Sequence, residues 1–111
     1  MAKSADPQIV QEIRRLASDP ARVHVFLRAA QWDMMAQGLT IADVCDKIIE
    51  YIDAGERVKP TALRDIPELA GTPAYEMKPR IHDILFYIKV TLLEIGGPGE
   101  RMLLISVHPD H

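Results

Sequence analysis

The chain has 111 residues, a formal net charge of -3, one cysteine (Cys45) and no apolar run of the about twenty residues that a membrane helix needs. These features, with no signal-peptide pattern, predict a single domain, residues 1–111, that has no internal disulfide or membrane partner and lies in the reducing cytoplasm. The acidic balance argues against a protein that coats nucleic acid by bulk electrostatics, so any RNA contact must depend on a local patch.

The first half of the chain has the pattern of helices. Ser4-Ala5-Asp6-Pro7 supplies a capping oxygen before a proline of the first turn, and apolar residues at helical spacing follow as far as Ser18-Asp19-Pro20. The segment from Arg22 to Val25 predicts a short edge strand. A second helical stripe ends at Gly38, and Thr40-Ile41-Ala42-Asp43 resembles a capping box that opens a third helix. The predicted buried face of that helix consists of Ile41, Val44, Cys45, Ile48, Ile49 and Ile52.

The second half of the chain has the pattern of strands. Three prolines and a glycine between residues 56 and 73 predict a long loop that is either functional or loosely ordered. Strand-like segments follow, with a tight turn at His82-Asp83 and a hairpin turn at Gly96-Gly97-Pro98-Gly99. Helices followed by an antiparallel meander predict an α+β fold, in which N-terminal helices pack on a C-terminal antiparallel sheet.

The last strands carry polar side chains on one of their two faces. Alternation predicts a core face made of Phe86, Ile88 and Val90 in one strand and Leu103, Ile105 and Val107 in the other. The opposite face carries Tyr87, Lys89, Ser106 and His108. Such a group suits phosphodiester chemistry, because lysine stabilises the charge of a phosphorane while histidine or tyrosine transfers protons.

These segments together resemble the MqsR-like toxins, a group within the RelE-like bacterial mRNA endoribonucleases. The resemblance depends on order and spacing over most of the chain, in the segments 10–16, 22–25, 38–49, 59, 75–79, 87–89 and 106–108. It implies a RelE-like fold and a metal-independent endoribonuclease toxin of a type II toxin-antitoxin pair, which uses no cofactor. It further implies that mRNA is cleaved through attack of a 2′-hydroxyl, and that a cognate antitoxin protein holds the toxin inactive.

The resemblance aligns Lys59 with a basic residue beside the scissile phosphate, Tyr87 with a strand tyrosine, and Lys89 with a basic residue two places further on. Two positions differ from the family pattern. His108 replaces a lysine at the end of the last strand, and the glutamine often found in the preceding strand has no clear counterpart near residues 74–76. We therefore predict a site without metal that has three catalytic residues, Lys59, Tyr87 and His108, and three residues that bind RNA phosphates, Lys78, Arg80 and Lys89.

Each of these residues also has a purely structural interpretation. Taken alone, Tyr87 is more often a half-buried strand tyrosine with its hydroxyl at the surface, and the basic residues are usually a solvated face. His108 lies near the C-terminus, where fraying is common. Trp32, Met34 and Met35 suit either the core or a partner contact. The functional alternative is a catalytically silent RelE-like domain that acts as a protein-interaction or regulatory module.

Overall fold

The structure, a computed structural model, describes residues 3–110. This part of the chain forms an α+β domain in which three helices pack on a six-stranded mixed sheet. The helices are α1 (Pro7–Ala17), α2 (Arg28–Ala36) and α3 (Ile41–Asp53). The strands are β1 (Val23–Val25), β2 (Lys59–Ala62), β3 (Pro73–Met77), β4 (Arg80–Ile81), β5 (Ile84–Leu93) and β6 (Arg101–Pro109). None of the helices described has the length and apolar character that crossing a membrane requires.

The helix ends form where the capping residues predict them. The Asp6 side chain accepts a hydrogen bond from the backbone N–H of Gln8 at the start of α1. At the start of α3, the Thr40 hydroxyl accepts from the N–H of Asp43 while the Asp43 carboxylate accepts from the N–H of Thr40, which confirms the capping box. Gly38 follows α2 at a φ of 68°, which is easily reached only without a β-carbon. The apolar face predicted for α3 packs into the main core.

The sheet has the strand order β1-β6-β5-β3-β2, with β4 also paired to β5. The edge strand predicted near Val23 is confirmed, but β1 runs parallel to β6, with Val23 opposite Met102. The prediction of a wholly antiparallel sheet is therefore wrong at this edge. A parallel pair needs a long crossover connection, and here α2, α3 and most of the sheet separate the two strands along the chain.

The segment between residues 56 and 73, predicted to be a long loop, includes regular secondary structure. It contains β2 and a short 3₁₀ turn, Pro67–Leu69. The N–H of Leu63 donates to the carbonyl of Thr72, and the N–H of Gly71 donates to the carbonyl of Leu63, each over 2.9 Å. Apolar side chains of the segment also pack on the sheet face opposite the main core. This second, smaller core contains Leu63, Ile66, Ala74, Leu103 and Ile105.

A β-bulge in β6 changes which side chains share a face. Lys89 is opposite Ser106, but the next residue, Val90, is opposite Leu104, so Ile105 is an extra residue. Val107 therefore packs in the main core, whereas Leu103 and Ile105 pack in the second core. The predicted common face of these three residues is wrong, because the alternation of a strand is interrupted by one inserted residue. The face predicted for β5 is confirmed, since Phe86, Ile88 and Val90 all lie in the main core.

The strands beside β5 determine where the open part of the sheet lies. Met77 of β3 is opposite Ile88, and Arg80 of β4 is opposite Leu85, so β3 and β4 follow β5 in one register. Pro79, which lies between them and has no N–H, interrupts the ladder. Residues 63–72 cover one end of the sheet face opposite the main core, and its other end carries polar side chains. This polar end contains the candidate site.

Candidate active site

The tyrosine, lysine and histidine predicted on neighbouring strands lie together. Tyr87 of β5 is directly opposite His108 of β6, and their rings stack with centroids 5.4 Å apart and an interplanar angle of 29°. The Nζ atom of Lys89 lies over the Tyr87 ring, 5.8 Å from its centroid. This distance is within the range of a cation–π contact. Tyr87 is therefore the centre of the group, with a neighbour on its own strand and another on β6.

Tyr87 also lines a cleft of about 310 Å³ at the polar end of the sheet. The cleft contains the predicted residues Lys59 and Lys78. The remaining lining residues are Tyr51, Arg57, Glu76 and Asp110. Three cationic side chains thus share the cleft with two carboxylates, which leaves it locally more basic than the acidic chain as a whole. A local basic surface of this kind is what contact with a phosphate requires.

Glu76 of β3 lies between the residues that were predicted to be catalytic. The Tyr87 hydroxyl donates a hydrogen bond to its Oε2 atom, and the Nζ atom of Lys59 lies 3.8 Å from its Oε1 atom. The backbone explains this position, because Glu76 is opposite Lys59 on β2 and opposite Lys89 on β5. The side chain of Glu76 is only 17% exposed. It is a carboxylate with one hydroxyl and one ammonium as its polar neighbours.

The prediction of site residues did not include Glu76. The available signal was the alternation in β3, which puts Glu76 on the face opposite Tyr75 and Met77 and hence on the face of Tyr87. The pairing that brings β3 between β2 and β5 is a tertiary feature.

The environment of Tyr87 keeps its hydroxyl protonated. Burial raises the pKa of Tyr87 well above its usual value, and the hydrogen bond to Glu76 and the charge of that carboxylate raise it further. At neutral pH the side chain is therefore a neutral phenol that donates a hydrogen bond. A group of this kind is a poor base and a good donor to a negatively charged oxygen.

His108 is held by the backbone beside it. Its Nδ1 atom lies 2.9 Å from the carbonyl oxygen of Pro109. Because a carbonyl oxygen only accepts hydrogen bonds, this contact assigns the proton to Nδ1 and leaves Nε2 as the nitrogen that exchanges a proton with a ligand. The contact thus favours one tautomer and one ring orientation.

Of the two remaining predicted residues, Lys78 lines the cleft and Arg80 lies beyond it. The Nζ atom of Lys78 is 3.2 Å from Oδ2 of Asp110, so this lysine is paired within the cleft. Arg80 lines a neighbouring cleft of about 370 Å³, which has Tyr51 and Lys78 in common with the first. Arg80 is therefore not among the groups that surround Tyr87. Tyr51, whose hydroxyl donates to the carbonyl of Arg57, was not predicted and forms part of the wall between the two clefts.

Comparison of the chain with known protein families, curated proteins and solved structures found no match. Among residues 3–110, no group of three or more His, Cys, Asp or Glu side chains is arranged to hold a metal ion. What the site does contain is a carboxylate, a neutral phenol and an imidazole in a row, with ammonium groups beside them. This combination is suited to proton transfer at a phosphodiester.

Proposed function

We propose that this protein is a metal-independent endoribonuclease toxin of a type II toxin-antitoxin pair, with a RelE-like fold and an MqsR-like pattern of site residues. The observation that carries the proposal is the convergence of Lys59, Lys78, Lys89 and His108 around Tyr87. These residues come from different parts of the chain, and their types are those that cleavage of RNA without a metal requires. The proposed substrate is mRNA.

In the proposed reaction the 2′-oxygen of a ribose attacks the adjacent phosphorus. Lys59 and Lys89 contact the phosphate and stabilise the charge that develops on its oxygens, and the neutral Tyr87 hydroxyl donates a hydrogen bond to one of them. The imidazolium of His108 donates the proton on Nε2 to the departing 5′-oxygen. The products are a 2′,3′-cyclic phosphate and a free 5′-hydroxyl. Arg80, in the neighbouring cleft, is suited to a phosphate further along the strand.

A second candidate function is a catalytically silent domain of the same fold that binds a protein partner. One observation favours it. Lys59 is paired with Glu76 and Lys78 with Asp110, so two cations of the cleft already have carboxylate partners. RNA must compete with these carboxylates for the lysines, whereas a silent module has no such requirement.

Incubation of the purified protein with single-stranded RNA in EDTA distinguishes the two functions. A toxin of the proposed kind cleaves the RNA and leaves 2′,3′-cyclic phosphate ends. DNA of the same sequence is the matched control, because it has no 2′-hydroxyl and must stay intact. Growth arrest on expression is a second readout. Intact RNA over a broad set of sequences, together with normal growth, would contradict the proposal and favour the silent module.

A further inference from the structure

We propose that Glu76 is the general base that withdraws the proton from the attacking 2′-hydroxyl. This inference rests on the proposed endoribonuclease function and completes it, because the reaction needs a base and the residues predicted from the sequence do not supply a good one. Glu76 lines the cleft and lies on the side of Tyr87 opposite His108. The Tyr87 hydroxyl contacts its carboxylate, and the Tyr87 ring stacks on the imidazole.

Tyr87 and His108, the residues predicted from the sequence to transfer protons, are less suitable as the base. Tyr87 has a pKa raised by burial and by the neighbouring carboxylate, so it holds its proton at neutral pH. His108 has only Nε2 available, because its Nδ1 is bonded to the Pro109 carbonyl, and a single nitrogen cannot deprotonate the nucleophile and protonate the leaving group in the same step. A carboxylate, in contrast, accepts hydrogen bonds only, as a base for a hydroxyl must.

The positions on either side of Tyr87 fit an in-line displacement. The nucleophile and the leaving group lie on opposite sides of the phosphorus, so the base and the acid must also be separated. Glu76 on β3 and His108 on β6 are held on either side of β5, which carries Tyr87. Lys59 and Lys89 lie opposite Glu76 on the two neighbouring strands. Lys59 lines the same cleft as Tyr87, and the Nζ atom of Lys89 lies 5.8 Å from the centroid of the Tyr87 ring.

The step balances without any further reactant. The Glu76 carboxylate takes the proton of the 2′-hydroxyl, and the oxygen lone pair forms the bond to phosphorus. The bond from phosphorus to the 5′-oxygen breaks, and that oxygen keeps the electron pair and takes the proton from Nε2 of His108. Glu76 ends protonated and His108 neutral, and exchange of one proton with water restores both. Glu76 thus loses its charge while the charge on the phosphate oxygens develops beside Lys59.

The first test measures single-turnover cleavage of an RNA oligonucleotide by the Glu76→Gln variant. Glutamine keeps the size of the side chain and an oxygen that accepts from Tyr87, but it does not take up a proton. We expect the cleavage rate to fall about 100-fold or more, the scale of one general base, while RNA binding stays equal or becomes tighter. Glu68→Gln is the matched control, because it removes one carboxylate from the exposed 3₁₀ turn away from the cleft.

The second test separates a catalytic carboxylate from one that only positions Tyr87. In a Glu76→Ala variant, added formate should restore part of the cleavage rate, because a small carboxylate fits the space and supplies the missing base. Formate should not restore the Tyr87→Phe variant. A Glu76→Ala variant that is folded but unaffected by formate would assign Glu76 to the positioning of Tyr87 and overturn the inference.

The outcomes also separate this inference from the proposed function. If the wild-type protein cleaves RNA and Glu76→Gln cleaves it at the same rate or faster, the assignment of Glu76 is wrong and the endoribonuclease proposal stands. If the wild-type protein leaves RNA intact, both are wrong. Circular dichroism of each variant shows whether a lost rate reflects lost folding, and if Glu76→Gln is unfolded, the formate experiment on Glu76→Ala decides.

Discussion

Tyr87 joins two ionisable groups of different strands, since its ring stacks on His108 and its hydroxyl donates to Glu76. The sheet holds these three side chains at fixed positions, because each lies within a paired strand. Strands position such groups more rigidly than loops do.

Replacement of Tyr87 or His108 should abolish most of the cleavage but lower the stability of the fold only slightly. His108→Ala removes the proposed acid and Tyr87→Phe removes the donor to the phosphate, so each should lower the cleavage rate by about two orders of magnitude. Thermal unfolding should change little, because neither side chain is in the main core. Full activity of the double variant would eliminate the site, and loss of folding in either single variant would favour the structural role of that residue.

Cleavage should not depend on a divalent metal. The proposed mechanism uses side-chain acids and bases and the positive charge of lysines in place of a metal ion. Activity in EDTA should therefore equal activity in magnesium at matched ionic strength, with a 2′,3′-cyclic phosphate as the product. Abolition by EDTA with recovery on addition of magnesium would indicate another class of enzyme.

Loss of the Lys59 charge should weaken both RNA binding and cleavage. Lys59→Ala removes a phosphate contact, so the affinity for RNA should fall and its dependence on salt should become less steep. A titration of labelled RNA at several salt concentrations measures both quantities. Lys59→Arg is the control, because it keeps the charge. Equal affinity of Lys59→Ala and the wild type would remove Lys59 from the binding site.

The proposed toxin should be found with an antitoxin that covers either the polar sheet face or α2. On α2, Trp32 is 65% exposed and Met35 75% exposed, whereas Met34 is only 4% exposed and belongs to the core. Large exposed apolar side chains are typical anchors of protein interfaces. Purification from the native host should therefore yield a complex, which Trp32→Ala weakens if the antitoxin lies on α2. A free, abundant and harmless monomer would count against the prediction.

Acid should weaken the attachment of the β5–β6 turn to α1. Arg15 of α1 donates to Glu100, with Nη1 2.6 Å from Oε2, and this pair and the Gly96 N–H lower the pKa of Glu100 from 4.5 to about 2. The depressed pKa contributes stability that is complete above about pH 4.5 and is lost as the pH falls towards 2. Glu100→Gln should flatten the unfolding free energy over this range, as measured with denaturant. An unchanged slope would contradict the prediction.

Local sequence patterns were sufficient for the elements whose signals are also local. The capping box of Thr40 and Asp43, the apolar face of α3, the turn at His82-Asp83 and the parity of Tyr87 and Lys89 in β5 are each determined by residues a few positions apart. The alternation of side chains in β5 and β6 also predicted that Tyr87, Lys89 and His108 share one face of the sheet. No contact between distant segments is needed for these predictions.

The tertiary structure decided what depends on pairing between distant strands. The parallel pairing of β1, the strand in residues 59–62 and the bulge at Ile105 all depend on the register with a partner strand, and the bulge reverses the faces of the residues before it. The position of Glu76 in the site also depends on strand pairing. The alternation of β3 shows which face of the sheet Glu76 lies on. Only the pairing of β3 between β2 and β5 brings its carboxylate to Tyr87 and Lys59. Cross-strand neighbours are set by strand register and not by distance along the sequence.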